Sequence, residues 1–487
     1  MGRSIKSITD PKLSLNLLTP EEIKRIHTAS LEVIEKTGVR FPSARALEIW
    51  DSFGAEVDRQ TSIVKARPEL IEEALLKAPP AYALAARDPG LDLPLDGNHV
   101  FLGTDGCGVE VIDLHSGERR RSRLQDVEEI ARLADALEEI AFHWVAVSAQ
   151  DRPPELRALH ELKAIWDNST KHVQTESVYS IHEAYAAVEM AAAIAGGRQA
   201  LRERPLLSIM QCSASPLGHD GGSLDAALIG AEAGLPVGFM TMAANLTTGP
   251  ATLAGNLVVG NAEVIAGTAL IQLAYPGAPV FYAAAQTASD LRSGAYTGGG
   301  PEDFLYGAAT NLLSDFYNIP LSMGSFATGA KEPNWQAGVD NTLSTLMASI
   351  VMSDMLLGVG FLHGSRIWSY AQMMLDVETF NIIAKMMQGI VVTDETLAVD
   401  VIHAAGPGGN FLKEKHTRKH MREVFVPQFM DRRPYNEWQE RRDGPPEFAL
   451  ARARQILETH EPERLESKLS AELGRIITAA EKQQIRN

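Results

Sequence analysis

The chain has only two cysteines, Cys107 and Cys212, and no CxxC pair. Two cysteines cannot supply the disulfide framework of a small secreted domain, and they suit a reducing cytoplasm. Basic residues are also scarce, since 45 Lys and Arg stand against 62 Asp and Glu, for a net charge of −17. Nucleic-acid phosphates need a basic face, so we expect no nucleic-acid partner.

Long apolar runs are missing as well. The N-terminal segment lacks the apolar core of a signal peptide, and the most apolar stretch, residues 258–272, contains Asn261 and Glu263. No uncharged run reaches the roughly 20 residues that a membrane-spanning helix needs. We therefore expect a cytoplasmic protein with no membrane contact.

Eight short apolar segments are typical of parallel strands that are buried on both faces. They are residues 100–104, 142–147, 172–176, 206–212, 237–242, 280–285, 321–326 and 356–361. Amphipathic helical patterns lie between them, for example at 154–167, 181–195, 249–273, 302–317 and 334–353. Eight strand-then-helix units predict an α/β fold, a (β/α)₈ TIM barrel, with an open doubly wound sheet as the alternative.

Segments without this alternation flank the predicted barrel. Residues 1–96 carry helical patterns and are predicted to form an N-terminal helical cap. Residues 97–390 are the predicted barrel domain. Residues 391–487 are predicted to form a helical or irregular C-terminal cap that packs on the barrel.

The active site of such a barrel lies at the C-terminal ends of its strands. That rule selects Asp105, Gln150, Thr175, Glu176, Tyr179, Gln211, Cys212, Met242, Asn245, Gln286, Phe326, Thr328, Lys331, His363 and Trp368. Amides, methionines and aromatics dominate the set, so we expect a mainly neutral mouth without an acid or base catalyst.

Metal and phosphate motifs are weak in this chain. His416 and His420 have i, i+4 spacing, but the residues between them lack the Glu of HExxH, and neither cysteine has clustered ligands around it. Residues 298–303 resemble a phosphate loop, yet Pro301 has no N–H and Asp303 repels an anion. We expect no metal site, and we interpret residues 291–300 as a mobile lid, with a rigid turn as the alternative.

Several segments, in a fixed order along the chain, resemble one family of enzymes. They include AKEPNWQAG at 330–338 and GPGGNFL at 406–412. The others lie at 26–34, 37–39, 103–105, 111–113, 117–119, 297–303, 416–417, 421–422 and 427–438. The chain thereby resembles the trimethylamine methyltransferase superfamily, whose members are corrinoid-dependent TIM barrels. The resemblance implies a methyltransferase that binds no cofactor permanently and uses the corrinoid of a partner protein.

One feature divides that family. The branch acting on trimethylamine looks to carry pyrrolysine, encoded by an in-frame amber codon, within the segment that matches residues 328–331. This chain has ordinary residues there, and either Ala330 or Lys331 occupies the position. The resemblance therefore implies the branch without pyrrolysine, which is similar to glycine betaine:corrinoid methyltransferases.

Chemistry favours a quaternary amine as the substrate. Its leaving group is a neutral tertiary amine, so orientation and desolvation suffice for transfer. Aromatic faces and sulfur suit the methylated cation, and such groups are available at Tyr179, Met242, Phe326, Trp368 and Tyr370. For the carboxylate of a betaine we predict His363 as the donor, followed by Lys331 and Gln286. We expect hydrogen bonds from Gln211 or Thr175 to hold Glu176 away from the ammonium, and Asn245 completes the predicted substrate residues.

Other functions stay open at this level. A barrel that binds betaine without catalysis is one alternative. Another is a methyltransferase for proline betaine, carnitine or a trimethylamine-like compound, and a third is a corrinoid-linked enzyme for an ether or a methylated acid. A homo-oligomer is possible on the sequence alone.

Overall fold

The chain forms a closed barrel of eight parallel strands in a computed structural model that describes residues 5, 8–9, 15, 17–106 and 108–484. In chain order the barrel strands are β1 (His99–Thr104), β2 (Ile140–Trp144), β3 (His172–Thr175), β4 (Leu207–Cys212), β5 (Val237–Thr241), β6 (Val280–Ala284), β7 (Leu321–Gly324) and β8 (Met355–Val359). All eight predicted strands are confirmed, each to within three residues at either end.

The barrel closes between its first and last strands. Strand β8 pairs in parallel with β1, with Met355 opposite Phe101 and Val359 opposite Thr104. This ring has no free edge, so the alternative of an open doubly wound sheet is excluded.

One main helix follows each strand and covers the outside of the barrel. The eight are α1 (Leu124–Ala136), α2 (Arg157–Asn168), α3 (Ile181–Ala195), α4 (Gly221–Ala233), α5 (Leu253–Ala274), α6 (Pro301–Tyr317), α7 (Trp335–Ile350) and α8 (Tyr370–Met387). Polar side chains at their N-caps fix several starts: Ser180 for α3, Thr252 for α5 and Ser369 for α8 each accept a backbone N–H. Helix α5 is long and apolar enough to cross a membrane, but 83% of its apolar window is buried within the barrel fold.

Apolar side chains fill the barrel on both sides of its wall. The inner core contains Phe101, Phe142, Met210 and Phe281. A hairpin of Tyr82–Leu84 and Leu93–Leu95 adds three leucines to this inner core and so closes the end that β1 enters. The opposite end, at the C-terminal ends of the strands, is where TIM barrels have their active sites, and it is called the mouth below.

The N-terminal extension contains the predicted helices and, in addition, short strands that were not predicted. Its helices Pro20–Lys36, Ala44–Ser52 and Pro68–Leu75 are joined by a three-stranded antiparallel sheet, besides the hairpin. The strands were missed because they are only two or three residues long. The boundary at residue 96 stays a prediction.

The C-terminal region has two parts with different packing. Helix α9 (Pro445–Thr459) packs on α8 and α1, and helix α10 (Ser467–Gln484) packs on α3 and α2. Residues 390–426, here called the arm, contain short helices but no buried residue. The boundary at residue 390 stays a prediction.

A small sheet lies above the ends of β1 and β8. Its four strands are Phe361–Leu362, Ile367–Ser369, Glu110–Ile112 and Arg119–Arg121. The turn between the first two strands, residues 363–366, is thereby held over the mouth.

Candidate active site

Four side chains from consecutive strand ends meet at the centre of the mouth. Asp105 follows β1, Trp144 ends β2, Glu176 follows β3 and Cys212 ends β4. The Cys212 thiol donates to Glu176 Oε2 at 3.5 Å, and both Glu176 and Asp105 raise the pKa of that thiol, after burial as the main cause. Cys212 is therefore a neutral thiol beside two carboxyl groups and not a reactive thiolate.

Gly106 allows this close packing. A Cβ added there would lie 2.6 Å from the Trp144 ring and 3.0 Å from Glu176 Oε1. The indole Nε1 of Trp144 is buried and makes no hydrogen bond to the described protein. The Trp144 ring is buried in the inner core and packs directly beneath these acidic groups.

Asp105 is held by two donors. Ser365 Oγ donates to Oδ2 at 2.7 Å, and the N–H of Gly106 donates to Oδ1 at 2.9 Å. Burial raises the pKa of Asp105 to about 6, against the lowering effect of these two hydrogen bonds. Its charge therefore changes near neutral pH.

Ser365 reaches Asp105 from a strained turn. His363, Gly364 and Ser365 have φ values of 55°, 63° and 58°, so two residues with side chains adopt the left-handed conformation. Each such residue costs about 1–2 kcal/mol relative to ordinary backbone. The N–H of His363 donates to the carbonyl of Ala330 at 2.7 Å, and that of Gly364 to Thr328 at 2.9 Å. These bonds join the turn to the segment where the sequence resemblance places the branch-specific residue.

Cationic side chains surround the half-buried His363. Desolvation lowers the pKa of its imidazole first, and the charges of Lys331, Arg366 and Arg119 lower it further. Lys331 is exposed, and its Nζ donates to the carbonyl of Gly329. Glu110, which pairs with Arg119 at 3.7 Å, acts on the imidazole in the opposite direction. The rim around His363 therefore carries more cations than acids, whereas the centre of the mouth is acidic.

The expected neutral mouth is thus corrected. The strand-end rule selected Asp105, but Asp105 was not placed among the predicted substrate residues. Trp144 was not selected at all. Side chains alternate in direction along a strand, so Trp144 points inward together with Phe142, and both belong to the inner core. This alternation was the signal that identifies Trp144 from sequence.

Gln211 does not hold Glu176, contrary to the prediction. Its Nε2 makes no hydrogen bond to the described protein. Ile209, two residues earlier, packs on Gly230 of α4, so Gln211 also faces the helices. Thr175 Oγ1 accepts from the N–H of Ser177 at 3.3 Å.

Four further predicted residues face the outer helices, and Asn245 is engaged in a short strand pair beyond the ends of β5 and β6. Gln286 donates to the carbonyl of Asn256 in α5 at 2.7 Å, and Asn245 accepts from the N–H of Ser289 at 3.3 Å. Phe326, Trp368 and Tyr370 lie in the outer core between strands and helices. Tyr370 donates there to Glu129 Oε2 in α1, and Trp368 stacks edge-on against Phe361.

The remaining predicted residues lie at the mouth or its rim. These are Glu176, His363, Lys331 and the exposed pair Tyr179 and Met242. Their roles in substrate binding stay predictions. The predicted lid has an exposed tip at Leu291, while its base is held by Asp303, which accepts from the N–H groups of Gly299 and Gly300. Its mobility also stays a prediction.

The residues considered for metal binding are engaged with other groups. His420 contacts Glu395 and Glu423, and the rings of His416 and His420 lie 4.3 Å apart. Within residues 17–106 and 108–484, no group of three or more His, Cys, Asp and Glu has the arrangement of a metal site. Cys107 lies outside the described residues.

Comparison with known proteins identifies the family of this chain. The family model for trimethylamine methyltransferase (MTTB) matches residues 1–485. The chain belongs to the trimethylamine methyltransferase family. It is a methyltransferase with a methylated amine as the class of substrate.

Two relatives from the bacterium Desulfitobacterium hafniense carry different names. The chain is 37% identical over 464 residues to its trimethylamine methyltransferase MttB, which covers 95% of this chain and 93% of the relative. It is 33% identical over 465 residues to a glycine betaine methyltransferase, with 95% and 96% covered. The trimethylamine methyltransferase MttB of Methanosarcina barkeri is 31% identical over 477 residues, with 96% of both chains covered.

A solved structure supports the barrel. The monomethylamine methyltransferase MtmB of Methanosarcina barkeri matches with a TM-score of 0.55 and covers 92% of this chain and 89% of its own. The two sequences are 12% identical, so this likeness concerns the fold alone. This member of the trimethylamine methyltransferase family has ordinary residues at positions 328–331, where the branch acting on trimethylamine is expected to carry pyrrolysine.

Proposed function

We propose that this enzyme moves an N-methyl group from a quaternary amine, glycine betaine in the first place, to Co(I) of a corrinoid protein. The methyl carbon leaves nitrogen, which keeps the C–N electron pair and becomes a neutral tertiary amine. Two electrons from Co(I) form the new Co–C bond and leave Co(III). The corrinoid is a co-substrate brought by a partner protein.

The separation of charge in the mouth carries the proposal. Acidic groups at Asp105 and Glu176 lie at the centre, and around His363 at the rim the cations Lys331, Arg366 and Arg119 outnumber the acid Glu110. A betaine has the same arrangement, with a permanent cation at one end and a carboxylate at the other. Trimethylamine has no carboxylate, so it would leave the cationic rim without a counterpart.

The contacts at the centre suit a cation that loses its charge during the reaction. Asp105 accepts from Ser365 and Gly106, and Glu176 accepts from Cys212. The Trp144 ring packs beside this acidic pair, and we assign it as the face for the methyl groups. A bare carboxylate in contact with the ammonium would stabilise the ground state more than the transition state, in which the positive charge disappears. The acidic pair therefore attracts the cation by its field, and the ring contacts it, at about 0.5–2 kcal/mol for each cation–π contact.

Sequence identity to named relatives does not select the substrate. The relatives named for trimethylamine and for glycine betaine are 37% and 33% identical to this chain. The ordinary residues at 328–331 favour the betaine, because the branch acting on trimethylamine is expected to carry pyrrolysine there. Neither the Ala330 methyl group nor the Lys331 amine is an electrophile, and Lys331 is in addition exposed.

Absorbance tests the proposal, because Co(I) cobalamin and methylcobalamin differ in colour. Purified enzyme is mixed with reduced cobalamin and with glycine betaine, proline betaine, carnitine or trimethylamine. Conversion with glycine betaine supports the proposal. Binding of glycine betaine without conversion, even with corrinoid protein added, supports a non-catalytic barrel. Conversion with trimethylamine, and with none of the other three amines, supports a trimethylamine methyltransferase instead.

A further inference from the structure

Tyr296 extends from the predicted lid, residues 291–300, toward the mouth, although the sequence patterns did not select it. It is the one aromatic residue of that segment. Its backbone pairs with Ser289 in an antiparallel bridge, and the N–H of the next residue, Thr297, donates to the carbonyl of Ala288 at 3.2 Å. The position of Tyr296 is therefore fixed by the base of the lid and does not depend on its exposed tip.

Two glycines allow the Tyr296 ring to reach the turn that follows β8. A Cβ added at Gly364 would lie 2.9 Å from Cδ1 of the ring, and one added at Gly298 would lie 2.9 Å from Cε1. Because only a glycine leaves room at these distances, one edge of the ring packs directly on backbone. Gly364 immediately precedes Ser365, which donates to Asp105. The ring therefore lies beside the turn that holds the acidic centre of the mouth.

The hydroxyl group of Tyr296 lies in the field of two carboxyl groups. Burial of the hydroxyl raises its pKa, the charges of Asp303 and Asp105 raise it further, and a hydrogen-bonding interaction with Thr287 acts in the opposite direction. Tyr296 is thus a neutral phenol at physiological pH. Even so, 38% of the residue is exposed. Since the hydroxyl end is desolvated and one edge is covered by glycines, the exposed part is the remaining surface of the ring.

Trp144 alone does not surround a methylated ammonium in the mouth. It is 3% exposed and packs in the inner core beneath the acidic pair. Three of the aromatic residues predicted for the cation, Phe326, Trp368 and Tyr370, lie in the outer core. The positive charge of a quaternary ammonium is spread over methyl groups that point in several directions, so a second ring on the lid side suits it.

We propose that Tyr296 is a specificity-determining residue of this enzyme, whose ring contacts the N-methyl groups from the lid side and selects a cation. This inference rests on the proposed function, because it needs a quaternary amine in the mouth. The tertiary amine product is neutral and has no cation–π attraction to the ring. The contact therefore distinguishes the charged substrate from an uncharged compound of the same shape.

Two ligands of the same shape test this selection. Glycine betaine and 3,3-dimethylbutyrate both end in a carboxylate, and the second has a carbon atom in place of the ammonium nitrogen. Isothermal titration calorimetry measures the Kd of each ligand for the wild type, Tyr296→Phe and Tyr296→Leu. We expect Tyr296→Leu to raise the Kd for betaine roughly 2–30-fold, the range of one cation–π contact, without changing the Kd for 3,3-dimethylbutyrate. Tyr296→Phe keeps the ring and should keep the wild-type Kd.

Gly364→Ala moves the ring of Tyr296 without changing it. The added Cβ must displace the ring, so we expect the Kd for betaine to rise as it does in Tyr296→Leu. Gly54→Ala is the matched control, because Gly54 also has a left-handed backbone, with φ of 80° against 63°, and nothing lies within 4 Å of its added Cβ. Gly54→Ala carries the same kind of backbone strain and should keep the wild-type Kd. Circular dichroism and thermal unfolding of each variant confirm that it is folded.

Three results would overturn the role of Tyr296. The first is a wild-type Kd for betaine in Tyr296→Leu. The second is an equal rise of Kd for both ligands, which would show a loss of packing and not of charge selection. The third is a Kd for betaine that rises as far in Tyr296→Phe as in Tyr296→Leu.

The proposed function and the role of Tyr296 fail in different ways. A wild type that binds betaine but transfers no methyl group removes the methyltransferase reaction and leaves the role of Tyr296 in binding. A wild type that binds betaine no better than Tyr296→Leu does removes the role of Tyr296 alone. A wild type that binds no quaternary amine removes both.

Discussion

Ser365 Oγ donates a hydrogen bond of 2.7 Å to Asp105 Oδ2, although the two residues are 260 positions apart in the chain. The bond joins the end of β1 to the turn that follows β8, the two strands that close the barrel. It also lowers the pKa of Asp105, which burial alone would raise further. Ser365 therefore sets the pH range in which the centre of the mouth is negative.

Removing the Ser365 hydroxyl group should shift the pH dependence of betaine binding. In Ser365→Ala the pKa of Asp105 rises above its value of about 6, because a donor to the charged form is lost. We expect the acid limb of betaine binding to move to higher pH, with little change on the alkaline side. Isothermal titration calorimetry at a series of pH values measures the Kd for betaine and so locates this limb. An acid limb at the wild-type position would remove Asp105 from the recognition of the cation.

Asp105→Asn should stabilise the fold at neutral pH while weakening function. The pKa of Asp105 is about 6 in the folded chain against an ordinary 3.8, so the folded state keeps a proton that the unfolded state releases. Stability therefore falls as the pH rises through that window, by at most about 3 kcal/mol. Asn removes this cost and still accepts from Gly106 and Ser365.

Thermal unfolding at two pH values checks the asparagine variant. The gain in Tm over the wild type should be larger at about pH 8 than at about pH 4, where the wild-type carboxyl is protonated. Equal gains at both pH values would mean that the buried charge is not the cause. Betaine affinity should fall in the same variant at the higher pH.

His363→Ala should weaken betaine binding strongly. Truncating a hydrogen-bond partner of a charged group costs about 1.5–3 kcal/mol, or roughly 10–150-fold in Kd. Alanine adopts the left-handed backbone of residue 363 at a cost similar to that of histidine, so folding stability should change little. His363→Gly is the control: it relaxes the backbone, gains about 1 kcal/mol of stability, and still loses the affinity. An unchanged Kd in both variants would exclude His363 from the site.

Gly106→Ala tests the packing at the centre of the mouth. The added methyl group would collide with the Trp144 ring and touch Glu176, so both side chains must move. We expect loss of turnover with a fold that unfolds cooperatively. Gly338→Ala is the matched control, because nothing lies within 4 Å of its added Cβ and the residue is in helix α7. That control should gain up to about 1 kcal/mol and keep full activity. Full activity in Gly106→Ala would contradict the assignment of Trp144 and Glu176 to the active site.

The sequence was sufficient to predict the barrel, because the apolar strand pattern is local and all eight strands follow it. The direction of side chains beyond the strand ends is not local. Trp368 and Tyr370 follow the last strand, yet the extra strand pair after Val359 carries them into the outer core. The left-handed turn that brings Ser365 to Asp105 depends on hydrogen bonds to residues 328–330, and no spacing rule in the sequence predicts such a contact.

Substrate choice between three amines of different charge pattern tests the central claim most directly. Turnover with reduced cobalamin is measured for glycine betaine, for tetramethylammonium, which lacks the carboxylate, and for trimethylamine, which also lacks the quaternary nitrogen. An acidic centre within a cationic rim predicts methyl transfer from glycine betaine, a much higher KM for tetramethylammonium, and none from trimethylamine. Equal KM values for the first two amines, or transfer from trimethylamine without transfer from glycine betaine, would contradict the account.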